Sequence, residues 1–205
     1  MRKRSWMALI AVVALGGCGK DLVAGGARDV EVHATGDATP EGSPSAARMS
    51  LAPADGHRSL SAAVAQGTIA FDARVSLLSS NRVEEVNRAP ASASVRIEGR
   101  DTVRLTGGEV RRGNYDRVRI VFTRVEADVA SGLVIGGVNI IGRVGVAIAP
   151  ADSIVVERPV SLGDEDDDVR LLVDLDASAW LASTNVLTRV VPAAAFQSAV
   201  KVRTR

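Results

Sequence analysis

Five consecutive acidic residues, Asp164-Glu165-Asp166-Asp167-Asp168, form the most chemically loaded stretch of this sequence. Asp164, Asp166 and Asp168 stand at alternate positions, the oxygen spacing with which calcium loops begin. A full loop of that kind then needs a glycine, and a glutamate six residues beyond it. Val169 and Leu175 stand at those positions, which excludes an EF-hand. A looser calcium site stays open. The plainer expectation is a solvated hairpin tip between strands at 159–162 and 169–175, whose charges discourage edge pairing. Asp174 and Asp176 flank Leu175. Two carboxylates so placed suit acid–base work in a hydrolase or the binding of a cation. Asp176-Ala177-Ser178 equally fits an N-cap leading into Ala177–Ala182, with Trp180 packed inward, and the cap is the expectation.

Other reactive groups are scarce. His33 and His57 are the only histidines, and both fall in low-complexity sequence. A general base needs a rigid mount within reach of its proton, so neither is expected to serve as one. The single cysteine, Cys18, excludes an internal disulfide and any multi-cysteine zinc site. No Gly-x-Ser-x-Gly elbow, His-Glu-x-x-His pair or phosphate loop occurs. Arg111, Arg112, Arg117, Arg119 and Arg124 could line a stripe for an acidic partner, though a solvated outer sheet face explains them as well. The chain has 25 basic and 24 acidic residues, without the basic excess of a nucleic-acid protein. No catalytic constellation and no cofactor are expected.

The positioning elements must come from 205 residues, enough for one domain with a terminal extension. The chain opens Met-Arg-Lys-Arg, and an apolar run from Trp6 to Leu15 follows. At about ten residues that run is short for a spanning helix, which needs roughly 20. It has the length and flanks of a secretory signal. It ends in Leu15-Gly16-Gly17-Cys18. The basic start, the apolar run, Leu three before the cysteine, the small residues between and the sole cysteine resemble a bacterial lipoprotein signal. That resemblance implies a diacylglyceryl thioether on Cys18, cleavage before it and acylation of the new amine. Gly19, rather than aspartate, after the cysteine implies the outer membrane over the inner. Loss of residues 1–17 removes three basic residues, leaving 22 against 24 acidic ones, a net −2.

Residues 18–66 are rich in Gly, Ala, Ser, Pro, Asp and Thr and read as a tether. A flexible chain of some 45 residues would reach about 35–40 Å on average. Within it Asp29-Val30-Glu31-Val32-His33 alternates in the manner of a strand, but linker is the favoured reading. From Gly67 the hydrophobic period becomes two. Strands are expected over 68–78, 94–98, 101–105, 114–122 and 125–129, with a bulge near Thr123-Arg124 where the parity switches. Further strands are expected at 133–135, 138–141, 144–148, 153–157, 159–162, 169–175, 185–191 and 198–203, and short helices at 177–182 and 193–199. Gly99-Arg100, and Gly137 or Gly142, suit turns. Aromatics are 3% of the chain, so Val, Leu, Ile and Ala must fill the core, with Trp180, Phe71, Phe122 and Phe196 inside. Tyr115, after Gly113, fits a corner whose hydroxyl bonds to backbone. This pattern predicts an all-β fold, a single antiparallel β-sandwich over 67–205.

Three pieces of that domain resemble an uncharacterised β-sandwich domain of bacterial lipoproteins: Gly113-Asn114-Tyr115-Asp116-Arg117-Val118-Arg119-Ile120, Gly67-Thr68-Ile69, and Val173-Asp174-Leu175-Asp176 with the later Val190-Val191-Pro192. The resemblance implies an immunoglobulin-like or transthyretin-like architecture and lends no catalytic residue. The chain is therefore expected to be an envelope lipoprotein with a binding or structural sandwich. Its partners would be the membrane, through Cys18, and an envelope protein or a glycan. A calcium-dependent glycan-binding module through Asp164, Asp166 and Asp168 is the alternative, and a hydrolase using Asp174 and Asp176 a more distant one.

Overall fold

The alternation Arg28-Asp29-Val30-Glu31-Val32-His33-Ala34 sends one set of side chains inward and the other out, and it builds a strand, not a linker. The computed structural model describes residues 26–36, 65–98, 101–135, 138–140, 142–149, 153–185 and 187–205. Cys18, His57 and the turn expected at Gly99-Arg100 lie outside them. In chain order the elements are β1 (Ala27–Thr35), β2 (Gln66–Ser79), β3 (Arg82–Glu85), β4 (Ala91–Arg96), β5 (Val103–Arg111), β6 (Tyr115–Ser131), β7 (Leu133–Ile135) and β8 (Val138–Ile140). Then come β9 (Val144–Ala149), β10 (Ile154–Leu162), β11 (Asp168–Asp174), α1 (Ala177–Leu181), β12 (Val190–Pro192), α2 (Ala193–Ala199) and β13 (Lys201–Thr204).

The strands form an all-β sandwich. One sheet runs β13-β11-β1-β5, so β1 lies in its interior. The other runs β12-β9-β6-β2-β3, with β10 on the free half of β6 and β4 beside β2. β7 and β8 pair as a separate hairpin. Most ladders are antiparallel, as expected, but β1 runs parallel to β11 and β12 parallel to β9. Val30, Val32 and Ala34 of β1 meet Ile69, Phe71, Val75 and Leu77 of β2 and Val118, Ile120 and Phe122 of β6 in one core. Phe71, Phe122, Phe196 and Trp180 form an edge-to-face chain with centroids 5.7, 5.1 and 5.6 Å apart. The Trp180 indole N–H donates to the Leu175 carbonyl at 3.0 Å, so the ring is buried without a lost hydrogen bond.

Several local expectations are met. Asp72 pairs with Arg124 and Ala73 with Phe122, so Thr123 is the unopposed residue of a bulge in β6. The bulge keeps both Phe122 and Val125 buried across the parity switch. The Tyr115 hydroxyl donates to the Arg111 carbonyl at 2.6 Å, the expected corner. Both helices fall at the expected positions.

Other expectations are corrected. Residues 29–33, read as tether, are interior strand, so the folded unit begins near Ala27 and not at Gly67. The two strands expected at 153–157 and 159–162 are one, β10, and Pro159 is accommodated by a register shift on a strand paired on one side only. The strand expected at 185–191 shrinks to β12. Asn185 Oδ1 accepts from the amides of Leu187 and Thr188, and Arg189 has positive φ, which makes a turn instead. Residues 198–199 belong to α2, so the last strand starts at Lys201. β3 was not anticipated. Residues 163–167 are not a hairpin tip, because β10 and β11 lie in different sheets and the segment crosses between them.

Candidate functional site

Two places gather the chemistry-bearing residues: the acidic crossing and the outer face of the β13-β11-β1-β5 sheet. At the crossing the organising group is Arg28, whose side chain points inward and is 2% exposed. One guanidinium nitrogen donates to the Gly163 carbonyl at 2.6 Å and the Asp166 carbonyl at 3.4 Å, and the other to the Gly113 carbonyl. The guanidinium also lies over the Tyr115 ring, 5.3 Å from its centroid. Arg112 adds bonds to the Asp164 carbonyl and the Asp167 carboxylate. Asp166 turns a carboxylate oxygen back to accept the Gly163 amide at 2.8 Å. The run Asp164–Asp168 is thus laced to β1 and to the residues entering β6. Among the described residues, Asp164, Asp166 and Asp168 do not join into a group that could hold a metal ion.

Asp174 and Asp176 are also engaged locally. Asp174 is buried, accepts the Asp176 amide at 3.1 Å and lies 3.9 Å from Arg203. Asp176 pairs with Lys201 and accepts from the Ser178 hydroxyl at 3.4 Å. It stands at the N-cap of α1, but with φ 45° and no side-chain bond to the helix amides. The cap expected there is positional only. The pair fastens the end of β11 to β13. On the other sheet Arg117 and Arg119 share a face, as expected, and both reach Glu157, at 3.3 and 2.7 Å. Arg124 pairs with Asp72 at 3.1 Å and Arg112 with Asp167. Arg111 is exposed. Most of the basic stripe is therefore neutralised in place.

The outer face of the smaller sheet is the more site-like surface. Asp29, Glu31 and His33 project from β1 beside Asp168, Arg170 and Leu172 of the parallel β11. Glu31 sits at the centre: Arg170 approaches to 3.3 Å, His33 Nε2 to 3.4 Å and Arg104 to 3.6 Å. On β5 the residue opposite Glu31 is Gly107. The Arg104 guanidinium lies over Gly107, 2.6 Å from where a Cβ there would stand, so a larger residue at 107 would push that arginine aside. The result is a shallow groove of about 520 Å³ lined by Asp29, Glu31, Arg104, Asp168, Arg170 and Arg205, among others. Three guanidiniums and three carboxylates line it, alongside Val30, Gly108 and Val169. Such a surface recognises polar, charged groups by paired hydrogen bonds and suits extended or flat ligands better than enclosed small molecules. His33 was missed as a site residue because its segment was read as linker; on β1 it has a rigid mount.

The Glu31 carboxyl is held below its ordinary value, first by the hydrogen bond from His33 and then by the charges of Arg104 and Arg170. Because the folded value is the lower one, this contribution to stability is present above the unfolded value of about 4.3 and is lost as pH falls through the folded one. Its size is small at so open a site. His33→Ala is expected to raise the Glu31 titration midpoint more than Arg104→Ala or Arg170→Ala does. Carboxyl-detected NMR titration of the four proteins checks this, and an unchanged midpoint in all three variants would break the assignment.

Neither a family model, nor a curated protein, nor a solved structure matches this chain.

Proposed function

We propose that this chain is a bacterial envelope lipoprotein, anchored by lipid on Cys18, whose β-sandwich is a non-catalytic binding or structural module. The observation that carries the reading is the run from Arg2 to Cys18: three basic residues, the apolar stretch 6–15, and Leu15-Gly16-Gly17 ahead of the only cysteine. Several acyl chains, at about 0.8 kcal/mol per buried CH₂, hold far more firmly than one. Gly19 favours the outer membrane. The similarity of the Gly67, Gly113 and Val173 segments to a sandwich domain of bacterial lipoproteins agrees with an immunoglobulin-like or transthyretin-like module.

The binding role rests on the polar groove around Glu31, which offers charged hydrogen-bonding groups to an envelope protein or a glycan. Glu31, Arg104, Arg170 and His33 are engaged with one another, and the carboxylates of Asp166, Asp167, Asp174 and Asp176 have local structural partners. These arrangements fit recognition and scaffolding better than turnover.

The test is fractionation of cells making the wild-type protein and Cys18→Ala. The wild type is expected in the membrane fraction, released by detergent and not by high salt, while Cys18→Ala moves to the soluble fraction or stays as unprocessed precursor. Equal partition of the two would reject the anchor. Crosslinking from the membrane, with Cys18→Ala as control, then identifies the partner.

A further inference from the structure

We infer that the sandwich is mounted on the bilayer by one defined end, with the turn at 80–81, Gly113 and the acidic crossing 163–167 facing the lipid surface and the opposite end facing away. The inference rests on the anchor at Cys18 and adds to it the direction in which β1 runs.

Eight residues, 19–26, separate Cys18 from β1. Fully extended they span at most about 28 Å. The start of β1 is therefore held close to the lipid, not 35–40 Å away as a longer tether would allow. The ladders fix which end that is. The Arg112 amide bonds the Gly26 carbonyl, and Arg82 bonds the Arg112 carbonyl, so Gly26, the β2–β3 turn and the entry to β6 share one end. Arg28 binds Gly163 and Asp166 at the same end.

The other end of β1 lies with the far tips of the sheets. Gly36 abuts the Arg96 carbonyl so closely that a Cβ would stand 2.0 Å from it, and the Ile97 amide bonds Gly67. Ala34 pairs with Val103, which places residues 101 and 102 there too. Gly36 and Ala65, the residues that bracket 37–64, both belong to this end. β2 alone, with 14 residues, separates the two ends by about 46 Å.

The tether sets the direction, and charge sets the standoff at that end. Asp164, Glu165, Asp166, Asp167 and Asp168 are all exposed at the lipid-facing end. A basic run there would be drawn to anionic headgroups by about 1 kcal/mol per residue, whereas this one is repelled within a screening length of about 8 Å. The domain is tethered close yet kept from lying down on that end. Partners then meet the far end or the sheet faces, the groove around Glu31 among them.

The test uses the lipidated full-length protein, in which Cys18 is a thioether and an introduced cysteine is the only free thiol. Ser80→Cys and Glu165→Cys mark the near end on two separate loops, and Thr102→Cys marks the far end; all three positions are exposed. Each is labelled with a donor dye and reconstituted into vesicles of phosphatidylethanolamine and phosphatidylglycerol carrying an acceptor lipid. Energy transfer is expected to be at least twofold more efficient from positions 80 and 165 than from 102. Equal transfer, or the reverse order, in protein that floats with the vesicles overturns the orientation and leaves the anchor standing. Failure to float, with Cys18 still open to thiol reagents, overturns both.

Discussion

A chain beginning at Gln66 is expected not to fold, although residues 67–205 contain nearly all of the strongly patterned sequence. β1 is an interior strand, paired along its length with β11 on one side and β5 on the other. Without it those two strands have no common partner, and the β11–β13 pair loses its link to β5. Val30, Val32 and Ala34 are fully buried, and each valine contributes about 1.5–3 kcal/mol. Their loss also uncovers the facing side chains of β2 and β6. The two valines alone come to about 3–6 kcal/mol, a large share of the net stability of about 5–15 kcal/mol that a domain has, before the lost ladders of β5 and β11 are added. A chain beginning at Gly19 is expected to unfold cooperatively. Trp180, the only tryptophan after residue 17, reports the core directly, with blue-shifted emission in the longer chain and solvent-like emission in the shorter. The point variant Val32→Asp should fail in the same way, because it buries a carboxylate in an apolar core. A fragment 66–205 with dispersed amide resonances and a sharp urea transition would show β1 to be dispensable.

The second large effect is expected at Arg28. Arg28→Ala should lower stability by about 3 kcal/mol, since hydrogen bonds from a charged donor contribute about 1.5–3 kcal/mol each and three carbonyls lose theirs. The full sum is not expected, because carbonyls at the end of the sandwich regain water. Arg28→Lys should recover only part of the loss: an ammonium cannot span three acceptors, and the planar contact with Tyr115 is gone. Urea unfolding gives the magnitude, and hydrogen exchange should show the amides of 163–167 opening in Arg28→Ala before the core does. A loss under about 0.5 kcal/mol, the range of an ordinary surface substitution, would mean that Arg28 does not hold the crossing.

Arg28 also shows where the sequence stops being legible. A lone arginine beside a Gly-rich stretch carries no sign of burial, because its three acceptors come from residues 85 to 138 positions away. β1 was hard to read for a related reason. Its alternation is short and surrounded by low-complexity sequence, and its parallel partner β11 lies more than 130 residues further on. Strand existence there is decided by tertiary pairing, which local pattern does not record. Once β1 was read as linker, Glu31 and His33 could not be seen as neighbours of Arg104 and Arg170, so the groove was lost with it. β3 escaped because Arg-Val-Glu-Glu holds one apolar residue and depends on β2 for its ladder.

Where the burial pattern is local the reading succeeded. The alternation through β2 and β6 marks the core faces, and in β11 it does so as far as Leu171, after which Leu172 and Asp174 are buried as well. The parity switch at Thr123 is the bulge itself. The Gly113–Tyr115 spacing anticipates the corner bond to Arg111. The carboxylates at 164–168 looked like calcium ligands because spacing records where oxygens occur and not which of them are already engaged. Here Arg112 and the Gly163 amide engage two of the side chains, and the crossing between sheets sets the rest.

The most direct test of the anchored sandwich is the intact mass of the protein extracted from bacterial membranes in detergent. It should equal residues 18–205 with a diacylglyceryl group and an amide-linked acyl chain, and tryptic fragmentation should place all of the added mass on Cys18. A chain cleaved elsewhere, with Cys18 recovered as a free thiol or removed with the leader, would contradict the anchor and with it the mounting of the domain.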